Sequence, residues 1–230
     1  MTSITIISAG VGTPSTTTML AQQVEGQLRD QGGTAVTVRI VELRTLATDI
    51  TNAIVTGFTS APLQDALDAV ASADALVAAT PIYKGSYSGL FKSFIDIVDS
   101  DAAVGKPVLL TATGGTARHS LALDVEVRAL FGYMRALVVP TVIFFAPEDW
   151  ASDRAGALSD RVARGVSELL ALTYGAGLSS RKPREAGRAQ DIAVAGASAD
   201  EQVIEFDTEL MRLATGGSAL STPVQVSTGA

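Results

Sequence analysis

Cysteine is absent from the 230 residues, which removes disulfides, thiol catalysis and Cys-ligated zinc or iron–sulfur centres. Histidine occurs once, at His119, so no site that needs two imidazoles can form, and no metal site is expected. Basic residues are in deficit: 17 Lys and Arg against 24 Asp and Glu give a net charge of −7, with no surplus to neutralise nucleic-acid phosphates or anionic lipid headgroups. No apolar run reaches membrane-spanning length. The opening Met1-Thr2-Ser3-Ile4-Thr5 has no basic region followed by a long apolar one, so no leader peptide is expected and a cytoplasmic location is. What remains is 47% hydrophobic and 18% charged, the balance of one well-buried domain.

The chain reads as strands alternating with helices. Ile4 to Ala9, Thr34 to Val41, Ala75 to Ala79, Lys106 to Ala112 and Val138 to Phe145 are β-rich runs. Helical spacing marks Met19 to Leu28, Leu43 to Val55, Pro62 to Ala73, Leu90 to Val98, about Ser120 to Leu137, and about Asp153 to Thr173. Such alternation means parallel pairing with right-handed crossovers. Five strands with ligand-type loops after the first, third and fourth suit an α/β fold, a flavodoxin-like doubly wound parallel sheet of order 2-1-3-4-5. Residues 1–175 form that domain. Residues 176–230, rich in Gly, Ala, Ser and Arg up to Ser198, are expected to be a flexible arm with a short helix at about 200–214 and a disordered tail. Trp150 reads as packing or interface, and Arg181, Arg184 and Arg188 as solubilising charges on the arm.

Three loops carry the chemistry. Gly10-Val11-Gly12-Thr13-Pro14-Ser15-Thr16-Thr17-Thr18 opens a helix, where free N–H groups, the helix dipole and hydroxyl donors favour an anion. Its glycines do not follow G-x-G-x-x-G and no P-loop lysine follows, which points to a monophosphate; the alternative is that the hydroxyls only cap the helix. The stretch Thr80-Pro81-Ile82-Tyr83-Lys84-Gly85-Ser86-Tyr87-Ser88-Gly89 leaves a buried strand, turns through Pro81 and Gly85, and could lie against a flat ring and bond its edge. Thr113-Gly114-Gly115-Thr116 ends the fourth strand, and its paired glycines allow close backbone approach or form an ordinary turn. His119 stands just beyond, as a cap, a packing residue or a contact to ligand.

Together, Ala79-Thr80-Pro81-Ile82-Tyr83-Lys84-Gly85-Ser86-Tyr87-Ser88-Gly89-Leu90-Phe91-Lys92 and Ala112-Thr113-Gly114-Gly115-Thr116 with His119 and Leu121-Ala122-Leu123-Asp124 resemble the NAD(P)H-dependent FMN reductases. The likeness runs from about Ile4 to Ala146 and is greatest to the branch that serves alkanesulfonate monooxygenase. It implies a homodimer or homotetramer that reduces FMN with NADPH or NADH and passes reduced flavin to a partner flavin-dependent monooxygenase. It further implies FMN phosphate at Ser8, Ser15, Thr17 and Thr18. The ring would lie on Pro81, Ile82, Tyr83 and Lys84 with Thr113, Gly114 and Gly115 at its edge, and the nicotinamide by Gly85, Ser86 and His119. No residue is assigned to catalysis, because hydride transfer between two rings rests on positioning.

The family pattern is departed from at two places. Val125 stands where the sulfonate-linked branch carries an inserted tyrosine, and the chain runs on past the fifth helix. An FMN-containing quinone or azo reductase is the alternative on the same fold. A flavodoxin-type carrier without nicotinamide turnover, or a flavin-binding regulatory module, is the alternative of another class.

Overall fold

The structure, a computed structural model, describes residues 1–146 and 155–175. The arm at 176–230, its expected helix, Trp150 and the three arm arginines lie outside the described residues.

Strands β1 (Thr2–Ser8), β2 (Val36–Glu42), β3 (Ala75–Tyr83) and β5 (Pro107–Thr113) pair in parallel, in the order β2-β1-β3-β5. Two short strands, β6 (Leu137–Val138) and β7 (Ile143–Phe145), extend the sheet from β5, β6 pairing at its start and β7 at its end. The five-strand order therefore stands, with the fifth strand in two pieces. Pro140 falls between them, where a residue without an N–H cannot extend the ladder.

Side chains alternate across the sheet and meet a helical layer on each face. Leu76 and Ala78 of β3 face one cluster, and Ala75, Val77 and Ala79 the other. The first cluster takes Ile50 from α2 (Ala47–Thr56), Leu63 and Val70 from α3 (Ala61–Ser72), Phe91 and Phe94 from α4 (Gly89–Ile97) and Phe131 from α5 (Arg128–Tyr133). The second takes Leu20, Val24 and Leu28 from α1 (Thr16–Gly32) and Val162, Val166 and Leu169 from α6 (Ala155–Gly175). Phe91, Phe94 and Phe131 are fully enclosed; burial of such a side chain contributes about 1.5–3 kcal/mol. On α4, Phe91, Phe94 and Ile95 recur three and four residues apart, which fixes which face of that helix turns inward.

Two local expectations are corrected. The chain does not turn at Pro81: β3 continues to Tyr83 and folds back through Lys84 and Gly85 into β4 (Ser86–Tyr87), pairing Ile82 with Tyr87 and Tyr83 with Ser86. Lys84 (φ 55°) and Gly85 (φ 86°) form a two-residue turn with both residues left-handed, the twist that suits a hairpin. The helix expected over about 120–137 is likewise not one α-helix. It starts with a 3-10 turn at Ala117–His119, continues as a π-helix at Leu123–Val127, and becomes α-helical only from Arg128 to Tyr133. Leu123 and Val127 stay buried across the wide turn, so apolar spacing alone does not reveal it. The π-helix forms with Val125, not tyrosine, at its centre.

Candidate functional site

Register brings three strand ends to one rim. Ser8 of β1 pairs with Ala79, and Thr113 of β5 with Pro81, two residues further along β3. The loops after β1, β3 and β5 therefore start within one layer of the same edge, where open α/β sheets bind ligands.

The first loop is shaped around Gly10. A Cβ there would lie 2.0 Å from Ser15 Oγ and 3.0 Å from Thr18 Oγ1, so only glycine lets these hydroxyls close over the backbone. Ser15 is the N-cap of α1, its Oγ accepting from Thr18 N at 3.2 Å. Ser8, buried at the end of β1, shares a 3.2 Å hydrogen bond with Thr18 Oγ1. Capping and anion binding are thus compatible here. The cap uses one N–H, and those of Thr16 and Thr17, in the first helical turn, have no intrahelical carbonyl to bond.

Thr17 goes elsewhere. Its side chain, 2% exposed, turns into the core and shares a 2.7 Å hydrogen bond with Thr113 Oγ1, 5% exposed, at the end of β5. Its hydroxyl is thus engaged by the end of β5, where the third loop begins. The two threonines fasten the first loop to the third.

In the second loop Pro81 and Ile82 are buried, whereas Tyr83 (51% exposed), Lys84 and Gly85 project from the rim. Tyr87 packs inward, its ring 6.2 Å from that of Phe91. Thr80 Oγ1 accepts from Ser88 N at 3.1 Å, and Ser88 Oγ accepts from Phe91 N at 3.2 Å, so the hairpin and the start of α4 are stitched together. Lys92, one turn into α4, pairs with Asp96, whose hydrogen bond raises its pKa above the ordinary lysine value. Lys84 has no ion pair among the described residues.

In the third loop the two glycines differ. Gly114 donates its N–H to Phe145 O at 3.0 Å, and a Cβ on it would lie 2.7 Å from Phe144 Cζ and 3.3 Å from His119 Cβ. It is a packing glycine whose amide is committed to the sheet. Gly115 is exposed with open space around it. His119 Nδ1 is buried without a hydrogen-bond partner among the described residues, a state that costs about 1–3 kcal/mol and favours any polar group that arrives to meet it.

Two residues not singled out for the rim reach it. Glu126, from the π-helix, accepts from Ser86 Oγ at 3.2 Å and so holds the hairpin 40 residues earlier in the chain. Arg44 Nη1 donates to Gly12 O at 3.4 Å and to Thr13 Oγ1. Glu126 directly follows Leu121-Ala122-Leu123-Asp124 and Val125, and Arg44 lies in the turn after β2, outside the three loops.

A hydroxyl cradle that a Cβ would fill, an orphaned imidazole nitrogen and an exposed glycine in the loop after β5 fit a planar ligand carrying a monophosphate. Among the described residues no group of three or more His, Asp or Glu is placed to hold a metal ion, and no helix is long and apolar enough to cross a membrane.

Residues 2–151 match the protein family described as NADPH-dependent FMN reductase. An FMN reductase (NADPH) of Pseudomonas aeruginosa is 36% identical over 151 residues, spanning 66% of this chain and 80% of the relative. The NADH-dependent FMN reductase SfnE of Pseudomonas putida is 33% identical over 181 residues, 78% of this chain and 96% of that one. Among solved structures, an oxidoreductase from Corynebacterium diphtheriae superposes with a TM-score of 0.73 at 40% identity, covering 76% of this chain and 98% of its own. The apo form of the NADH:FMN oxidoreductase EMOB gives 0.64 at 32%, covering 73% and 89%.

Proposed function

The chain belongs to the NADPH-dependent FMN reductase family, and we propose that its three rim loops are where it holds FMN. The activity is that of an NAD(P)H-dependent FMN reductase, with NADPH or NADH as electron donor. The observation that carries the site is the Thr17–Thr113 hydroxyl pair, which locks the loop suited to phosphate onto the loop suited to a ring edge.

In this reading Ser15, Thr18 and Ser8, with the first-turn N–H groups of α1, hold the phosphate. The hairpin backbone at Pro81 and Ile82 supports the ring, flanked by Tyr83 and Lys84. Gly115 serves its polar edge, while Thr17, Thr113 and Gly114 set the loops in place. Gly85 and Ser86 leave room for the nicotinamide, with His119 beside it. The chemistry that FMN supplies when bound is two-electron exchange with the nicotinamide. The chain's task is to align two rings and exclude alternatives. The positive charge of Lys84 favours the more negative, reduced state of a ring beside it.

Release of reduced FMN to a flavin-dependent monooxygenase is supported by the openness of the rim at Tyr83, Lys84, Gly85 and Gly115. A homodimer or homotetramer is supported by the exposed apolar side chains of Leu121, Val125 and Tyr133.

The test is an FMN titration followed by quenching of flavin fluorescence, beside an assay of nicotinamide oxidation. Thr18→Asp places a carboxylate against the phosphate and is expected to weaken FMN at least about tenfold by like-charge repulsion. Unchanged affinity would remove the first loop from the site, and absence of FMN-dependent NAD(P)H oxidation would refute the reductase reading itself.

A further inference from the structure

The first loop has donors but no cation. No Lys or Arg occurs before Arg29, which lies in the last turn of α1, away from the loop that opens it. An ionised phosphate has close to two negative charges at neutral pH, and the helix dipole offers only about half a positive charge. A cation stands in the turn that follows the neighbouring strand β2.

Ser8 and Glu42 are paired residues at the ends of β1 and β2, so the two following loops leave the sheet side by side. After Glu42 the chain makes a 3-10 turn, Leu43–Leu46, in which Leu43 and Leu46 are both buried. Residues three apart in such a turn lie on the same side, so the two leucines anchor it and Arg44 points outward. Thr45 Oγ1 closes the turn on Glu42 O at 2.8 Å. Arg44 then reaches Gly12 O and Thr13 Oγ1, and it has no carboxylate partner among the described residues. A guanidinium has five N–H donors, and these two contacts engage only Nη1.

We propose that Arg44 is the phosphate-discriminating cation of this chain: it steadies the Gly12–Thr13 bend and supplies the charge that makes the site prefer FMN to unphosphorylated riboflavin. The proposal rests on the assignment of the phosphate to the first loop.

The experiment is a set of equilibrium titrations with FMN and with riboflavin, read by flavin fluorescence at several salt concentrations, on the full chain and on Arg44→Gln and Arg44→Lys. Glutamine keeps a donor for Gly12 and Thr13 but not the charge; lysine keeps the charge. Arg44→Gln is expected to bind FMN about tenfold more weakly and riboflavin as before, with a flatter dependence on salt, while Arg44→Lys recovers most of the loss. Equal weakening of both flavins, or wild-type FMN affinity in Arg44→Gln, would reduce Arg44 to a loop brace and overturn the proposal. A selective rise in KM for NADPH over NADH with FMN affinity intact would overturn it too, by moving the charge to the nicotinamide ribose phosphate. If the unaltered protein binds riboflavin as tightly as FMN, it is the first-loop assignment that fails, whatever Arg44 does.

Discussion

The hydroxyl pair between Thr17 and Thr113 makes a prediction that separates a fastening from a ligand contact. Thr17→Val keeps the shape of the side chain and leaves the Thr113 hydroxyl buried without its 2.7 Å partner. An orphaned buried hydroxyl costs about 1–3 kcal/mol, whereas removal of both partners together is nearly neutral. Thr17→Val and Thr113→Val should therefore each destabilise by about 1–3 kcal/mol, and the double variant by much less than their sum. The coupling has the size expected of residues in direct contact. In a domain of this length 1 kcal/mol moves the melting point by about 2–4 °C. The melts and urea titrations belong on flavin-free protein, because bound ligand adds its own stabilisation by mass action. FMN affinity in Thr17→Val should change less than about threefold, since the hydroxyl faces β5. A variant that melts as before but loses FMN tenfold would show that Thr17 is a phosphate ligand. Additive losses in the double variant would show that the two hydroxyls do not act as a pair.

The two glycines of the third loop should respond oppositely to alanine: Gly114→Ala drives a Cβ to 2.7 Å from Phe144 Cζ and should destabilise by about 1–3 kcal/mol, while Gly115→Ala, with open space around it, should leave the melting point unchanged. Glu126→Ala releases the Ser86 hydroxyl and should raise KM for NAD(P)H several-fold with a smaller change in kcat, and Glu126→Gln, whose amide oxygen can still accept, should stay near wild type; equal kinetic loss in both would mean that the carboxylate acts by its charge.

The order of the sheet was legible because the central strands β3 and β5 are buried on both faces and read as near-continuous apolar runs, while the edge strand β2 alternates, a combination that marks a parallel α/β core without reference to partners. The hairpin was not. Pro81 reads as a breaker, yet it lies beyond the last residue of β1 paired with β3, so one flank of the strand is open there and a missing N–H spoils no ladder on that side. The π-helix was hidden for a different reason. Leu123, Val127 and Phe131 recur every four residues, a spacing that an α-helix and an α-helix with one widened turn both satisfy. What distinguishes them is the bond that Arg128 N–H donates to Leu123 O, five residues back, which no apolar position reports.

The same limit governs the site. Hydroxyls and glycines in loops after strands identify a rim that can hold an anion and a ring, because donors without Cβ obstruction are what such ligands need. They do not tell which hydroxyl faces the ligand and which faces the protein. Thr17 and Thr18 are adjacent and chemically identical, but helical geometry turns them about 100° apart. One meets Thr113 across 96 residues of sequence and the other meets Ser8 beside the cradle. Gly114 and Gly115 divide in the same way, one amide going to Phe145 and the other residue left open. In the site proposed, the inward residue of each pair holds the loops at the spacing that its neighbour requires. A loop rich in such residues is therefore a site and its scaffold written in one alphabet, and only the identity of each partner separates them.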